Sequence, residues 1–409
     1  MPNKNPKRTK PQVISAIVII LIIVVYVGLS LTLPIKALVA NQANSTLQIT
    51  TPASNLPWPS SGEAAVGFGN GIVTQSHGLQ KPLPMASTAK LITALAVLKK
   101  YPLSINQQGP MITLGPTDYQ IYTNYIAGQG SVVPVYSGEQ LTEYQMLEAM
   151  LVPSGDNIAD SLARWAYGSV SKYDSFANNY VKQLGLDSTH IGGDASGYSP
   201  ASTTTADNLV KLGGIVMQNP VLAQIVGMKS VDVPNVGVMQ NYDNIIGTAG
   251  IIGIKTGNSN QAGGVFLGAA KTQVNHQSVT VFTAIMDVPG LTQALTDTVP
   301  LMISLENSFA QTILISKGEI LGEFKQPWGG NVQIAAQNNL VVDALQGQSV
   351  TVKLHLNPLK IPTNKQSLIG SISTPANQFN ASQSQPVITL ESTSQPSWQW
   401  RLLHPSKIF

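Results

Sequence analysis

The segment Pro84-Met85-Ala86-Ser87-Thr88-Ala89-Lys90 runs directly into an apolar stretch, residues 91–98. Apolar residues recur there at helical spacing, which predicts a helix that begins with Ser87 as its N-cap. Ser87 and Lys90 would then share one face of the first turn. A serine becomes nucleophilic beside a lysine removed from water, and backbone N–H groups at a helix start can stabilise an oxyanion. The same spacing recurs at Ser169 and Lys172, where a solvated helix start explains it, so the pair alone decides little.

Composition excludes several function classes. The chain has 409 residues, room for two or three domains, and only 11% of them are charged. Beyond Lys10, 19 basic residues face 20 acidic ones, a balance that is not typical of nucleic-acid binding, so we expect no nucleic-acid partner. Cysteine is absent, which excludes disulfides, cysteine–zinc sites and thiol nucleophiles. The five histidines show no paired metal-binding spacing, so we expect no metal and no cofactor.

The N-terminal region has the pattern of a membrane anchor. Residues 1–12 form a basic tail, and residues 13–35 are almost entirely apolar and long enough to cross a bilayer. The basic cluster predicts that the N-terminus lies inside the cell and the rest of the chain outside. A cleaved signal peptide is the alternative, but its apolar region would normally be shorter. Residues 36–60 are polar and proline-containing and are predicted to be a linker.

The remaining chain predicts two domains. In residues 61–310, predicted helices lie between early and late strands, which favours an α/β (α+β) domain with an antiparallel sheet covered by helices. One of these helices is predicted to begin at a capping box on Thr142 and to stop at Pro153, and residues 277–288 are predicted to form one of the late strands. Within it, the glycine- and tyrosine-rich residues 110–138 are expected to form loops and short strands. Residues 311–409 alternate in short segments without helical periodicity, which predicts a small all-β domain. Its aromatic and basic tail, residues 398–403, is expected to be a last strand or a loose end rather than a contact with the membrane or a partner.

Three short motifs occur in a specific order: Ser87-x-x-Lys90, Ser154-Gly155-Asp156 and Lys255-Thr256-Gly257. Ser-x-x-Lys, Ser-x-[Asn/Asp] and Lys-Thr-Gly in this order are the signature of active-site-serine penicillin-recognising enzymes. The chain resembles a serine-type D-alanyl-D-alanine carboxypeptidase, a low-molecular-mass penicillin-binding protein, over about residues 58–309. The resemblance implies a β-lactamase/transpeptidase-like catalytic domain, and residues 311–409 resemble the C-terminal domain that many of these enzymes carry.

The resemblance also implies roles for individual residues. Ser87 would attack the carbonyl of the penultimate D-alanine, Lys90 would accept the serine proton, and Ser154 would relay a proton to the leaving nitrogen. Lys255 and Thr256 are predicted to contact the terminal carboxylate of the substrate, and Gly257 is predicted to let the substrate lie against the strand like an added strand. The backbone N–H groups of Ser87 and Asn258 are predicted to form the oxyanion hole. The implied partners are a peptidoglycan stem peptide, β-lactams as covalent inhibitors, and the cell membrane, with the catalytic domain on the cell-wall side.

One position departs from the family pattern. The family usually has asparagine where this chain has Asp156, and Asn157 follows one place later. An ionised aspartate only accepts hydrogen bonds and would hold Lys90 protonated, which opposes the role of a base. Three alternatives follow: Asn157 takes over the substrate contact, Asp156 is protonated, or activity is weak. The literal Ser-x-Asn sequence at residues 104–106 lies too close to Ser87 to form the second wall of a cleft and is predicted to be structural.

Two rival functions remain from the sequence. A class A β-lactamase shares the fold and the three motifs, but it deacylates with a glutamate between the second and third motifs. This chain has no glutamate between Glu148 and Glu306. A catalytically silent wall-binding protein that keeps the fold is the second rival, and Asp156 is the feature that favours it.

Overall fold

The computed structural model describes residues 10–40, 44–274, 277–376 and 380–408. Its helices are α1 (Lys10–Thr32), α2 (Lys90–Lys100), α3 (Pro116–Ala127), α4 (Glu143–Leu151), α5 (Asp156–Tyr167), α6 (Val170–Gln183), α7 (Ala206–Gln218), α8 (Pro220–Val226), α9 (Leu291–Glu306) and α10 (Trp398–Leu403). Its strands are β1 (Asn44–Thr50), β2 (Glu63–Phe68), β3 (Ile72–His77), β4 (Leu83–Pro84), β5 (Met111–Thr113), β6 (Gln140–Thr142), β7 (Thr203–Thr204), β8 (Ser230–Val233), β9 (Gly237–Gln240), β10 (Ile251–Ser259), β11 (Gly263–Val274), β12 (Gln277–Val288), β13 (Phe309–Ile315), β14 (Ile320–Lys325), β15 (Asn331–Ala336), β16 (Leu340–Leu345), β17 (Ser349–Leu356), β18 (Leu368–Thr374) and β19 (Gln383–Thr389).

The chain divides into two compact units. Unit 1 contains residues 1–50, 311–343 and 349–409, and unit 2 contains residues 51–310 and 344–348. Unit 1 therefore takes its chain from both ends of the sequence. The domain boundaries predicted from the sequence stay predictions, although the break near residue 310 falls where the predicted domains meet.

Unit 2 is built on a five-stranded antiparallel sheet in the order β10-β11-β12-β2-β3. On β12, Phe282 lies near Gly213 of α7, whereas the next residue, Thr283, lies by Gly268 of β11, close to Thr298 of α9. Because successive residues of a strand point to opposite faces, α7 and α9 cover opposite faces of the sheet. Every residue of β2 is buried, as expected for a strand covered on both sides. The predicted fold class, an antiparallel sheet covered by helices, is confirmed.

Helix α2 lies at the centre of the helical part of unit 2. It contacts α4, α5, α6 and α7, and residues 90–98 are all buried. A helix that is buried all round needs an apolar sequence, which explains why residues 91–98 contain no charge. The one charged side chain at its start, Lys90, is thereby carried into the interior.

Unit 1 contains a six-stranded antiparallel sheet in the order β1-β17-β18-β19-β15-β14, and β13 pairs with β16. The predicted all-β character of the C-terminal region is confirmed by these strands. Helix α1 includes Val13–Thr32, a 20-residue stretch long and apolar enough to cross a membrane. This helix is compatible with the membrane anchoring predicted from the sequence.

Three local predictions were wrong. Residues 44–50, within the predicted linker, form β1, which pairs with β17 from Asn44↔His355 to Thr50↔Ser349. The glycine- and tyrosine-rich segment contains α3, whose start is fixed by the Asp118 carboxylate accepting the Gly115 N–H at 2.8 Å. The C-terminal tail forms α10, which the Ser397 hydroxyl caps by accepting the Trp400 N–H at 3.3 Å.

Candidate active site

Ser87 lies on a short 3-10 turn, Ala86–Ala89, that leads into α2. No side chain caps this turn, so the prediction that Ser87 is the N-cap was wrong. Its hydroxyl instead accepts a hydrogen bond from Lys90 Nζ at 2.7 Å. Ala86, just before it, has a φ of +46°, in the left-handed region that is costly for a residue with a Cβ. The turn therefore holds the serine in a conformation that a regular helix start would not give.

Lys90 is the centre of the cluster. Its ammonium contacts Ser87 Oγ at 2.7 Å, Ser154 Oγ at 3.4 Å, Asp156 Oδ1 at 2.5 Å and the Ser196 carbonyl at 3.3 Å. The side chain is completely buried. The three motif residues predicted to act on the reacting bond, Ser87, Lys90 and Ser154, are thus brought together within hydrogen-bonding reach.

The second motif follows α4 directly. The capping box predicted at Thr142 is present, and α4 ends just before Pro153. Ser154 then takes a φ of +62°, which turns the chain sharply before α5 begins at Asp156. Asp156 is fixed on its other side by Ser131, whose N–H donates to Asp156 Oδ2 at 2.8 Å and whose carbonyl accepts the Asp156 N–H at 2.7 Å.

Asn157 faces a different part of the unit. Its side-chain amide donates to the Val133 carbonyl at 2.8 Å, and its Oδ1 accepts the Val133 N–H at 3.0 Å. It is 1% exposed. This pairing holds the segment around Val133 against α5 and is the only hydrogen bonding of this side chain that the described residues show. A substrate contact by Asn157 stays a prediction.

The third motif lies on β10, beside the serine. An added Cβ on Gly257 would come within 3.0 Å of Ala86 Cβ and 3.3 Å of the Ser87 nitrogen, so glycine permits a close approach of the strand to the Ser87 turn. Lys255 and Thr256 are buried, with Lys255 Nζ 3.5 Å from Thr256 Oγ1. Asn258 Oδ1 accepts the Leu291 N–H at 3.1 Å, which ties the end of the motif to the start of α9. The substrate-binding roles of these four residues stay predictions.

The electrostatics of Lys255 are unusual for a lysine. Burial, together with the positive charge of Lys90, lowers its pKa to about 7, although the charges of Asp156 and Asp243 act in the opposite direction. Asp243 is itself buried, which raises its pKa to about 6. Near neutral pH, Lys255 is therefore poised between its charged and neutral forms. An anion that entered beside it would favour the charged form.

A network behind Lys90 positions the loop that contacts it. Asp194 Oδ1 accepts the N–H groups of Ser196, Gly197 and Tyr198 at 2.7, 2.7 and 3.2 Å. Asp160 Oδ1 accepts the Ala195 N–H at 2.8 Å, and its Oδ2 accepts the Tyr125 hydroxyl at 2.9 Å. Ser131 and Ser196 contact the cluster through their backbones, and Asp243 acts on Lys255 through its charge; none of the three belongs to the three short motifs.

The two competing motif matches behave as predicted. Ser169 caps α6 by accepting the Lys172 N–H at 3.1 Å, on the protein surface. Residues 104–106 lie in an exposed loop after α2. In the part of the chain that the structure describes, no three His, Cys, Asp or Glu side chains cluster in a way that could hold a metal ion.

The chain is similar in sequence and in fold to known proteins. The chain is 34% identical over 198 residues to a D-alanyl-D-alanine carboxypeptidase of Mycobacterium tuberculosis; the match spans 46% of this chain and 62% of that relative's length. It is similar to the crystal structure of penicillin-binding protein 5 from Haemophilus influenzae, with a TM-score of 0.58 and 18% identity over 83% of this chain and 99% of the other, a likeness that shows the fold. A solved Mycobacterium tuberculosis D-alanyl-D-alanine carboxypeptidase matches at 25% identity and a TM-score of 0.52, covering 63% of this chain and 96% of that one.

The family profile of peptidase S11, described as D-alanyl-D-alanine carboxypeptidase, matches residues 65–289. This range contains all three motifs and the five-stranded sheet except for the start of β2. The chain therefore belongs to the peptidase S11 family of D-alanyl-D-alanine carboxypeptidases.

Proposed function

We propose that this protein is a serine-type D-alanyl-D-alanine carboxypeptidase that removes the terminal D-alanine from peptidoglycan stem peptides. The observation that carries the proposal is the position of Lys90 Nζ, 2.7 Å from Ser87 Oγ and 3.4 Å from Ser154 Oγ. One buried lysine then connects the candidate nucleophile to the candidate proton relay.

In the proposed reaction, Ser87 Oγ attacks the carbonyl carbon of the penultimate D-alanine and its proton passes to Lys90. The bond to the nitrogen of the terminal D-alanine breaks, and that nitrogen receives the proton through Ser154. The shortened peptide is left as an ester on Ser87. Water hydrolyses this ester and restores the serine hydroxyl.

Substrate recognition is assigned to β10. The terminal carboxylate of the stem peptide would approach Lys255 and Thr256, and its charge would stabilise the protonated form of Lys255 against the burial that lowers its pKa to about 7. The close approach of Gly257 to the Ser87 turn supports an oxyanion hole formed by the backbone N–H groups of Ser87 and Asn258. Each such donor is typically worth about 10²–10³ in rate.

Helix α1 is proposed to anchor the protein in the cell membrane. The basic residues before the helix favour an N-terminus on the cytoplasmic side, which would put both units on the cell-wall side, where peptidoglycan is. β-Lactams are proposed as covalent inhibitors, because they acylate the same type of serine.

Asp156 favours a second candidate, a silent wall-binding protein. Its carboxylate lies 2.5 Å from Lys90 Nζ, and this ion pair holds the proton that the lysine must give up before it can act as a base.

The missing glutamate between Glu148 and Glu306 argues against rapid deacylation of the class A β-lactamase type.

One experiment separates these candidates. The full chain in neutral detergent is incubated with benzylpenicillin and its intact mass is followed, and D-alanine release from a peptide ending in D-Ala-D-Ala is measured in parallel. We expect one persistent adduct and D-alanine release, both lost in Ser87→Ala. The matched control is Ser169→Ala, which removes the serine of the solvated Ser-x-x-Lys sequence and leaves both signals unchanged.

The other outcomes identify the rivals. An adduct that forms and clears rapidly indicates a β-lactamase. A folded protein that forms no adduct and releases no D-alanine refutes the carboxypeptidase proposal and supports a silent wall-binding role.

A further inference from the structure

A cavity lies in unit 1 just beyond the end of the membrane-spanning stretch. Val13–Thr32 is the apolar span of α1, and the cavity wall begins three residues later, at Ile35 and Lys36. The cavity has a volume of about 630 Å³, within the range of small-molecule sites. If α1 crosses the membrane, the chain distance from Thr32 puts this cavity at the level of the lipid headgroups.

The C-terminal tail is fastened to the same end of α1. Arg401 is buried, its Nε donates to the Ser30 carbonyl at 2.8 Å, and its Nη2 donates to the Leu33 carbonyl. It thus satisfies carbonyl groups that a helix leaves unpaired at its C-terminus. Tyr26 Oη donates to the Leu402 carbonyl at 2.5 Å. Since Tyr26 lies six residues before Thr32, α10 contacts α1 about 9 Å inside the end of the span.

That depth is the depth of an interfacial helix, which typically lies about 5–10 Å into the boundary between headgroups and acyl chains. The outer face of α10 suits this position, because Trp398 and Leu403 are 61% and 76% exposed. Trp400 stacks on His404 and packs edge-on against Trp328, with ring centroids 5.4 Å apart in the second pair. Tryptophan is enriched at this level of membrane proteins.

The cavity wall is basic. Among the described residues that line it, Lys36, Lys325 and Lys407 are basic and Glu323 is acidic, and Glu323 Oε2 already accepts a hydrogen bond from Asn331 Nδ2 at 2.9 Å. Lysine is a binder of phosphate groups, and basic residues at a membrane surface attract anionic lipids. The charge of the wall therefore selects for an anion.

We propose that this cavity binds the phosphate-bearing headgroup of an anionic phospholipid in the leaflet from which α1 emerges. The inference rests on the membrane anchoring proposed above. The lipid phosphate contacts Lys325 and Lys407, and the acyl chains run back along α10 and α1. A bound lipid then fixes the orientation of unit 1 at the membrane surface.

The test uses the full chain in neutral detergent, titrated with short-chain phosphatidylglycerol and observed by native mass spectrometry. We expect a one-to-one complex with phosphatidylglycerol and at least tenfold weaker binding of phosphatidylcholine. A basic residue near a membrane surface contributes about a fivefold factor in affinity, so Lys325→Gln with Lys407→Gln is expected to weaken binding about thirtyfold.

The matched control is Lys353→Gln with Lys365→Gln, which removes two exposed lysines of the same unit that do not line the cavity. Equal binding of the two lipids, or unchanged binding in the Lys325 and Lys407 variant, overturns the proposal. Displacement of the lipid by an equal concentration of inorganic phosphate identifies a free-phosphate site and also overturns it.

Acylation by benzylpenicillin, measured on the same samples, keeps this proposal separate from the proposed function. Loss of lipid binding with intact acylation concerns the cavity alone. Ser87→Ala is expected to remove acylation and to retain the lipid complex.

Discussion

Replacement of Asp156 with asparagine isolates the effect of one negative charge on the candidate base. Asp156 Oδ1 lies 2.5 Å from Lys90 Nζ, and the two side chains are 5% and 0% exposed. Asparagine has the same shape and keeps an oxygen that can accept from Lys90. The variant therefore removes the charge and keeps an acceptor for Lys90, while its amide NH2 replaces the Oδ2 that accepts the Ser131 N–H.

The distance sets the size of the effect. Two unit charges at this separation attract by about 7 kcal/mol at an effective dielectric constant of about 20, which is an upper bound. Removal of one partner of a buried ion pair typically costs about 3–5 kcal/mol, and the retained hydrogen bond favours the lower value. A buried lysine without a counter-charge tends to lose its proton instead of staying charged. A difference of about 3 kcal/mol corresponds to about two pH units.

The assay is the second-order rate constant for acylation by a fluorescent penicillin across the pH range. We expect Asp156→Asn to move the acid limb of the profile about two pH units lower and to raise the rate on that limb by about 10- to 100-fold. The control is Asp118→Asn, because Arg164 and Asp118 form the other ion pair found in the described residues, at 2.9 Å. It should leave the profile unchanged.

A slower Asp156→Asn variant with an unaltered melting temperature would refute this reasoning. It would show that the carboxylate itself takes part in the proton transfer, as an acceptor of the Lys90 proton. An unchanged acid limb would equally contradict a restraining role for Asp156.

Four further predictions concern the surroundings of the serine. Because Lys255 has a pKa of about 7 and is neutral above it, acylation by benzylpenicillin, which carries a carboxylate, should decline above about pH 7; Lys255→Arg, which keeps its charge, should lose this decline in the pH–rate profile. Gly257→Ala, whose Cβ would come within 3.0 Å of Ala86 Cβ, should slow acylation about tenfold or more, whereas Gly115→Ala, with no non-neighbouring heavy atom nearer than 4.0 Å, should not. Asp160→Ala should lower the free energy of unfolding by about 2 kcal/mol in denaturant titrations, because two donors lose their acceptor. Burial raises the pKa of Asp160 to about 6, so the folded state holds a proton that the unfolded chain releases near pH 4; wild type should lose stability as the pH rises from about 4 to 6, and Asp160→Asn should not.

The sequence predicted the parts of the site that depend on short motifs and strong local signals. The order of the three motifs indicated the family, and the Thr142 capping box and the proline after Val152 located α4 and hence Ser154. The strand predicted for residues 277–288 has those bounds in the structure. Each of these signals, whether motif, capping box or strand pattern, can be recognised in a short stretch of sequence.

The predictions failed where side-chain or backbone contacts, rather than the local sequence pattern, decide the outcome. The glycine- and tyrosine-rich composition of residues 110–138 gave no helical pattern, so α3 was not predicted. Asp118 nevertheless caps this helix and pairs with Arg164 of α5. The sequence predicted that Ser87 is the N-cap of the helix, but its hydroxyl accepts a hydrogen bond from Lys90, three residues later. The backbone contacts of Ser131 and Ser196 leave no residue-type signal at all, because any residue can supply a carbonyl or an N–H.

The pairing of β1 with β17 has a consequence for how the protein is made and how it can be taken apart. The partners, from Asn44↔His355 to Thr50↔Ser349, are about 300 residues apart in the chain. During synthesis β1 stays unpaired until the whole of unit 2 has been produced. Closure of so long a loop costs conformational entropy, which slows the pairing. Once closed, unit 2 is joined to unit 1 at both of its ends. A single protease cut near residue 50 therefore leaves unit 2 covalently attached to the later strands of unit 1. One of these strands, β17, stays hydrogen-bonded to β1 at the end of the N-terminal segment.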